Sequence, residues 1–294
     1  MPASYRGRFA PSPTGPLHLG SLVTALASYL DARHCAGTWL VRMDDLDPPR
    51  EIPGAAKCIL QSLRRHGLHW DEDVMWQSRR SSAYQNALTQ LMRSKCTFYC
   101  DCGRQQLGKN RTCCGRCQDG QSELSGARAT RIRVPADYRA SFKDQLQGSL
   151  DWALGQEIAN FVVMRKDGLF AYQLAVVVDD AEMAISHILR GSDLLDSTAR
   201  QLYIQAMLGI APPHYCHIPV ITHVDGHKLS KQSHAPAIND DAAPQNLRLA
   251  LSFLNQVQPP KDLRSVDQIL SFSSQNWSPE SIPRTLSIPN NVHS

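Results

Sequence analysis

Near the N-terminus, the residues that by their type and spacing could bind a ligand or take part in a reaction lie in the stretch RFAPSPTGPLHLGS, Arg8 to Ser21. This stretch joins a short apolar segment to a helical pattern, and His18, Gly20 and Ser21 fall at the junction. Free backbone N–H groups at a helix start attract anions, and a glycine lets a ligand approach the backbone closely. The junction is therefore a candidate phosphate site, although a tight turn with a capping serine is, for the stretch alone, the more ordinary explanation.

A second candidate for phosphate chemistry lies much later in the chain, in the stretch KLSKQ. It places Lys228, Ser230 and Lys231 in a polar loop after a predicted strand. A lysine ammonium neutralises phosphate oxygens and can follow a pyrophosphate as it leaves. Alone, such a run is more typical of a solvated surface.

The cysteines are concentrated in one region, since six of the nine lie within residues 96–117. Cys100 and Cys102 form one group, and a second group ends at Cys117. Four thiolates from two such groups are the ligands of a closed structural zinc site. Both Cys113 and Cys114 compete for the third position, and a buried cysteine cluster without metal also fits the pattern.

Composition limits the class of protein. The 294 residues are 42% hydrophobic and 20% charged, with a formal net charge of +4. These values are ordinary for a soluble globular protein, and the charge is compatible with a polyanionic partner without requiring one. The N-terminus has no apolar signal region and no stretch is long enough to span a bilayer, so we expect a cytoplasmic protein with no membrane partner. Disulfides are rare there, which favours metal binding by the cysteines.

The pattern of the first 45 residues predicts how the N-terminal junction is positioned. Leucines at four-residue spacing predict a helix from Ser21 to Ala36, and TWLVRM predicts a buried strand over 38–43. Strand, glycine-rich turn, helix and strand form a βαβ unit, the building block of a parallel sheet. We expect further helices over 53–66 and 82–95, a hairpin turning at 166–168, and loose packing of the last 30 or so residues, which are rich in Ser, Pro and Asn.

The two phosphate candidates together resemble the paired motifs of class I aminoacyl-tRNA synthetases. RFAPSPTGPLHLG is similar to the glutamyl branch, as are VRMDDLDPPRE, LRRHGLHWDE, WQSRRSSAYQNAL and GLFAYQLAVVVDDAEMAISHILRGSDLLDSTARQ. The resemblance extends over roughly residues 5–240 and is strongest to the short paralogues of the glutamyl-tRNA synthetase catalytic domain. Few residues follow KLSKQ, so we expect no anticodon-binding domain.

The resemblance implies an α/β fold, a Rossmann-like parallel sheet interrupted by a zinc-bearing insertion. The first half of the catalytic domain is expected over residues 1–95 and the insertion over 96–151. The second half, with the KLSKQ loop, is expected over 152–240, and a short helical or irregular C-terminal extension over 241–294.

The resemblance also implies an activity. Members of this group activate L-glutamate with ATP, without tRNA, to glutamyl-adenylate and diphosphate. They then transfer the glutamate to queuosine at the wobble position of tRNA(Asp), whose anticodon stem-loop is the expected partner. Mg²⁺ with ATP, one structural Zn²⁺ and a monomeric chain are implied as well. Two alternatives are a minimal glutamyl-tRNA synthetase that charges the tRNA 3′ end and a non-catalytic, zinc-containing tRNA-binding module.

The resemblance also implies site residues, at the positions of this sequence that match the family motifs. The implied catalytic residues are His18 and Lys231. The implied glutamate ligands are Arg8, Ser12, Asp44, Tyr172 and Arg190. The implied ATP ligands are His18, Gly20, Ser21, Lys228, Ser230 and Lys231.

Two positions depart from the family pattern. Met43-Asp44-Asp45 stands where relatives usually have Ile-Glu-Asp, so Asp44 is one methylene shorter than the usual partner of the substrate ammonium. Cys113 stands at the position of a family tyrosine that precedes the last ligand. That match favours Cys113 over Cys114, and the implied zinc ligands are Cys100, Cys102, Cys113 and Cys117.

Overall fold

The fold is given by a computed structural model that describes residues 5–108, 112–117, 126–222 and 236–290. Its strands in these ranges are β1 (Arg6–Phe9), β2 (Thr38–Met43), β3 (Met75–Trp76), β4 (Thr97–Cys100), β5 (Ala129–Arg133), β6 (Ala140–Asp144), β7 (Gly148–Trp152), β8 (Asn160–Met164), β9 (His187–Gly191), β10 (His214–Ile218), β11 (Val220–Thr222) and β12 (Ser287–Pro289). Its helices in the same ranges are α1 (Leu19–His34), α2 (Ala55–Arg65), α3 (Ser81–Arg93), α4 (Leu154–Glu157), α5 (Tyr172–Glu182), α6 (Leu195–Leu208), α7 (Ala243–Phe253) and α8 (Val266–Gln275).

The predicted βαβ unit is confirmed. Strand β2 pairs in parallel with β1 and with β3, and α1 connects β1 to β2. The apolar face of α1 is fully buried at Leu22, Leu26 and Leu30, as the four-residue spacing predicts. Helix α1 starts two residues before the predicted Ser21, because the His18 side chain caps it and accepts the backbone N–H of Ser21.

The main sheet continues on the other side of β1. Strands β9, β10 and β6 are parallel, and β7 is antiparallel at the edge. The N–H of Ser186, just before β9, donates to the Arg6 carbonyl at 3.0 Å, and the Ser186 hydroxyl accepts the Arg6 N–H. These bonds hold β9 beside β1, so the four-stranded sheet β7-β6-β10-β9 lies next to the three-stranded sheet β1-β2-β3. The expected α/β fold with a parallel sheet is confirmed.

A second sheet is antiparallel, in the order β4-β5-β8. It carries Cys100 at the end of β4. Strands β6 and β7, within the predicted insertion, pair with the main sheet instead, whereas β8, which follows that range, joins the second sheet. The predicted hairpin after β8 is confirmed by a turn at Gly168, whose φ of 84° favours glycine. The domain boundaries themselves stay predictions.

The prediction of a loosely packed C-terminal segment was wrong. Trp277 and Ile282 are buried in the core that surrounds α1. The indole Nε1–H of Trp277 donates to Asp31 of α1 at 2.9 Å. The segment therefore packs against the first helix, and its last strand, β12, pairs with β11. Across the described ranges, every helix is too short or too polar to cross a bilayer.

Candidate active site

Four buried charged side chains form a chain of ion pairs near the carboxyl ends of β1 and β2. Arg8 donates from Nε and Nη2 to the two carboxylate oxygens of Asp180, at 2.9 and 3.3 Å. Arg42 donates from Nη1 to Asp180 at 2.6 Å and from Nε to Asp44 at 2.7 Å. Two guanidinium groups therefore face these two carboxylates, and a third buried carboxylate, Asp179, lies 3.9 Å from Nε of Arg42.

The pKa values of the two carboxyl groups are affected in opposite directions. Burial favours the neutral acid at Asp180, but Arg8 and Arg42 outweigh that effect and lower its pKa. At Asp44 burial is the stronger influence and raises the pKa against the opposing charge of Arg42. Asp180 is therefore ionised more readily than Asp44, and its carboxylate orients both arginines.

Replacing Asp180 by asparagine is expected to lower the free energy of unfolding by roughly 3–5 kcal/mol at pH 7, because two buried guanidinium groups lose their shared carboxylate. Urea unfolding measures the loss, with Asp262→Asn, at an exposed position, as the control. Because the folded-state pKa of Asp180 is lowered, its contribution is present above the ordinary aspartate pKa and is lost as the pH falls below it. Equal stability of the two variants at pH 7 would contradict the structural importance of the ion pairs.

Arg190 lies on β9 and is held by neutral acceptors. Its Nε–H donates to Nε2 of His217 at 3.0 Å. Its Nη2 donates to Thr198 and to Gln201, both at 2.8 Å. Nη1 is buried and has no hydrogen-bond partner in the described part of the chain. Within the same ranges no carboxylate lies at salt-bridge distance from Arg190. A buried cation with two free N–H bonds is a ready site for an anionic ligand.

The network around Arg190 extends to the start of α5. Gln201 donates from Nε2 to the side-chain oxygen of Gln173 at 3.0 Å, and Gln173 donates to Ser197 at 3.0 Å. Tyr172, the neighbour of Gln173, is half-buried at the first position of α5. Tyr172 therefore directly precedes, in the chain, a member of the Arg190 network. Ser12 lies in the loop after β1 and is exposed.

His18 occupies the predicted junction between the loop after β1 and α1. Its Nδ1 accepts the Ser21 backbone N–H at 3.3 Å, and its Nε2 lies 3.0 Å from the Ser21 hydroxyl. Gly20 is within the first turn of α1. Ala237 forms an isolated antiparallel bridge with His18, and the Ile238 N–H donates to the Leu17 carbonyl. Lys228, Ser230 and Lys231 lie outside the described residues.

Comparison with known proteins identifies the family of the chain. The catalytic-domain model of the class I tRNA synthetases for glutamate and glutamine matches residues 4–257. Glutamyl-Q tRNA(Asp) synthetase from Pseudomonas fluorescens is 49% identical over 294 residues, covering 98% of this chain and 96% of the relative. The Pseudomonas aeruginosa protein of the same name is 48% identical over 293 residues, covering 98% and 99%. The chain belongs to the glutamyl-Q tRNA(Asp) synthetase family.

A solved structure supports the fold. The glutamate tRNA ligase of Elizabethkingia meningosepticum, crystallised with its amino acid, superimposes with a TM-score of 0.78 at 21% identity. The match covers 97% of this chain and 67% of the ligase. The enzyme is thus a class I synthetase ligase, as the sequence resemblance predicted.

Four buried cysteines of the enzyme could hold a metal ion. The Sγ atoms of Cys100, Cys102, Cys113 and Cys117 all lie within 4.8 Å of one another. Cys102 is 3.8 Å from Cys113 and 3.6 Å from Cys117, close to the roughly 3.8 Å expected between sulfurs that share a tetrahedral zinc. All four are free thiols, and the fifth candidate, Cys114, is exposed. The donor set therefore fits zinc.

Sequence reasoning missed Arg42, Asp180, Asp144 and His217. Asp180 stands in the apolar run LAVVVDD, and a charged pair on an otherwise apolar helix is a usable signal for a buried ion pair. His217 gave a weaker signal, because a lone histidine in a buried strand is common.

Proposed function

We propose that the enzyme activates L-glutamate with ATP and then transfers it to queuosine in tRNA(Asp). The observation that carries the proposal is the buried Nη1 of Arg190, which has no partner in the described residues. A substrate carboxylate would complete the two free N–H bonds of that nitrogen. The named activity of the Pseudomonas relatives supports the same chemistry.

The other predicted glutamate ligands would surround the same substrate. Among the described residues Arg8 donates only from Nε and Nη2, to Asp180, which leaves Nη1 for a second substrate carboxylate. Asp44 would receive the substrate ammonium, with its carboxylate already oriented by Arg42. Tyr172 and Ser12 would contact the amino acid from α5 and from the loop after β1.

Activation needs little acid–base chemistry. The glutamate α-carboxylate oxygen attacks the α-phosphorus of ATP, the bond to the bridging oxygen breaks, and diphosphate leaves. His18, Gly20 and Ser21 would hold the nucleotide at the α1 N-terminus, with Lys228, Ser230 and Lys231 on the diphosphate. Ala237, six residues after Lys231, lies beside His18. Mg²⁺ would accompany ATP and neutralise phosphate charge.

The second step would use the tRNA. A hydroxyl oxygen of the queuosine ring attacks the activated carbonyl carbon, the bond from that carbon to the phosphate oxygen breaks, AMP leaves, and the hydroxyl proton passes to the AMP phosphate or to solvent. The four-cysteine cluster would hold a structural zinc ion that stabilises the segment around it.

One experiment tests the proposal against its two alternatives. Glutamate-dependent ATP–pyrophosphate exchange is measured without tRNA, and labelled glutamate is then followed onto tRNA(Asp) with and without queuosine. We expect exchange without tRNA and label only on queuosine-containing tRNA. Label removed by trimming the 3′ CCA end would favour ordinary charging. Absence of exchange would leave only a binding module.

Replacing Lys231 by alanine is expected to lower the exchange rate by roughly 10²- to 10³-fold, because a preorganised charge on the leaving diphosphate is lost. Steady-state exchange kinetics measure the effect, with Lys261→Ala, at an exposed position, as the matched control. An unchanged rate in Lys231→Ala would remove this lysine from the mechanism.

A further inference from the structure

Asp144 and His217 form a fully buried pair behind Arg190. Asp144 lies at the end of β6, and Oδ1 of its carboxylate accepts three backbone N–H groups, from Leu146, Gln147 and His217, at 3.0, 2.9 and 3.2 Å. Its Oδ2 lies 2.6 Å from Nδ1 of His217. Both side chains have no exposed surface. The carboxylate therefore requires the ring proton of His217 on Nδ1.

That tautomer makes Nε2 of His217 an acceptor. Nε2 lies 3.0 Å from the Nε–H of Arg190 and 3.1 Å from the Thr198 hydroxyl. Burial lowers the pKa of His217, Asp144 opposes that effect, and the charge of Arg190 lowers the pKa further. A ring protonated on both nitrogens would instead direct an N–H at the N–H of Arg190.

We propose that Asp144 orients Arg190 for the anionic substrate by fixing the tautomer of His217. The inference rests on the proposed function of Arg190 as a glutamate ligand. Asp144 and His217 are positioning residues, since they act through Arg190. The arrangement fixes the guanidinium without placing a carboxylate against it, so its charge stays available to the substrate.

Asp144→Asn tests the proposal with little change in shape. The atom that accepts three backbone N–H groups must be oxygen, so the amide nitrogen of the variant lies where Oδ2 was and faces Nδ1 of His217. The ring must then carry its proton on Nε2, directed at Arg190. An analogous aspartate-to-asparagine change elsewhere keeps geometry but imposes the wrong histidine tautomer.

We expect Asp144→Asn to raise KM for glutamate by about 10- to 100-fold in the exchange assay, because Arg190, which binds the substrate carboxylate, is misplaced. The KM for ATP should change less than about twofold, as for the exposed control Asp137→Asn. An unchanged KM for glutamate, or equal increases for both substrates, would overturn the proposal.

Testing Asp144→Asn in a variant that already lacks His217 distinguishes a positioning role of Asp144 from a structural one. His217→Phe keeps a ring but has no nitrogen and hence no tautomer to set, so adding Asp144→Asn to it should change KM for glutamate by less than about threefold. A structural role for Asp144 predicts the same large increase in KM for glutamate in both backgrounds, and that result would overturn the inference.

The ring tautomer is also measured directly, by ¹⁵N NMR of His217 in the full chain. We expect the proton on Nδ1 in the wild type and on Nε2 in Asp144→Asn. A proton on Nε2 in the wild type would overturn the inference whatever the activity. Absence of glutamate-dependent exchange in the wild type would instead refute the proposed function, and the NMR result would still decide the positioning.

Discussion

Replacing Arg190 by methionine lowers kcat/KM for glutamate by about 10³-fold or more in our expectation, with the largest part in KM. Methionine fills a similar volume but has no donor, so a substrate carboxylate would be buried without a partner. The exchange assay measures the loss. The expected effect exceeds that of Asp144→Asn because the ligand is removed and not merely misplaced.

A stability measurement distinguishes loss of substrate binding in Arg190→Met from a folding defect. In the described residues the guanidinium of Arg190 has no carboxylate partner but donates to His217, Thr198 and Gln201, so its removal should lower the free energy of unfolding by roughly 1–3 kcal/mol. Arg42→Met is the matched contrast, since it removes the partner of two buried carboxylates and should unfold far more easily. A normal KM in Arg190→Met would contradict the proposed glutamate site, and Arg93→Met, at an exposed position, controls for loss of a surface arginine.

Local patterns predicted the elements that carry the site. Strand β2 has the predicted bounds, because a run of apolar residues between a glycine and two aspartates defines a short buried strand. Helix bounds near α1 to α3 were predicted to within two residues, since spacing and caps are local properties.

Long-range contacts could not be predicted in the same way. Arg42 and Asp180 are 138 positions apart and meet only because β2 and α5 pack at one end of the sheet. Trp277 was missed for a similar reason, since its serine-rich surroundings indicate a loop, whereas its partner Asp31 lies on α1. Asp144 and His217 join strands β6 and β10, which are neighbours in the sheet but distant in sequence.

The largest expected effect on stability concerns the cysteine cluster. The apolar cluster there contains only Phe98, four cysteines and the adjoining Leu107 among the described residues. Because this core is small, we expect metal ligation to contribute to the stability of the segment around it. We expect about one zinc ion per chain by mass spectrometry of the digested protein.

Burial raises the pKa of Cys102 and of Cys113 to about 11, so both are neutral thiols at pH 7 unless a cation stabilises their thiolates. Cys100→Ser and Cys117→Ser should lose the metal and lower the free energy of unfolding by an amount on the order of 5 kcal/mol. Cys114→Ser is the matched control, because Cys114 is exposed and lies next to the cluster, and it should keep the metal. Loss of zinc in Cys114→Ser but not in Cys113→Ser would identify Cys114, and not Cys113, as the third zinc ligand. A fully folded wild type without metal would refute the zinc site.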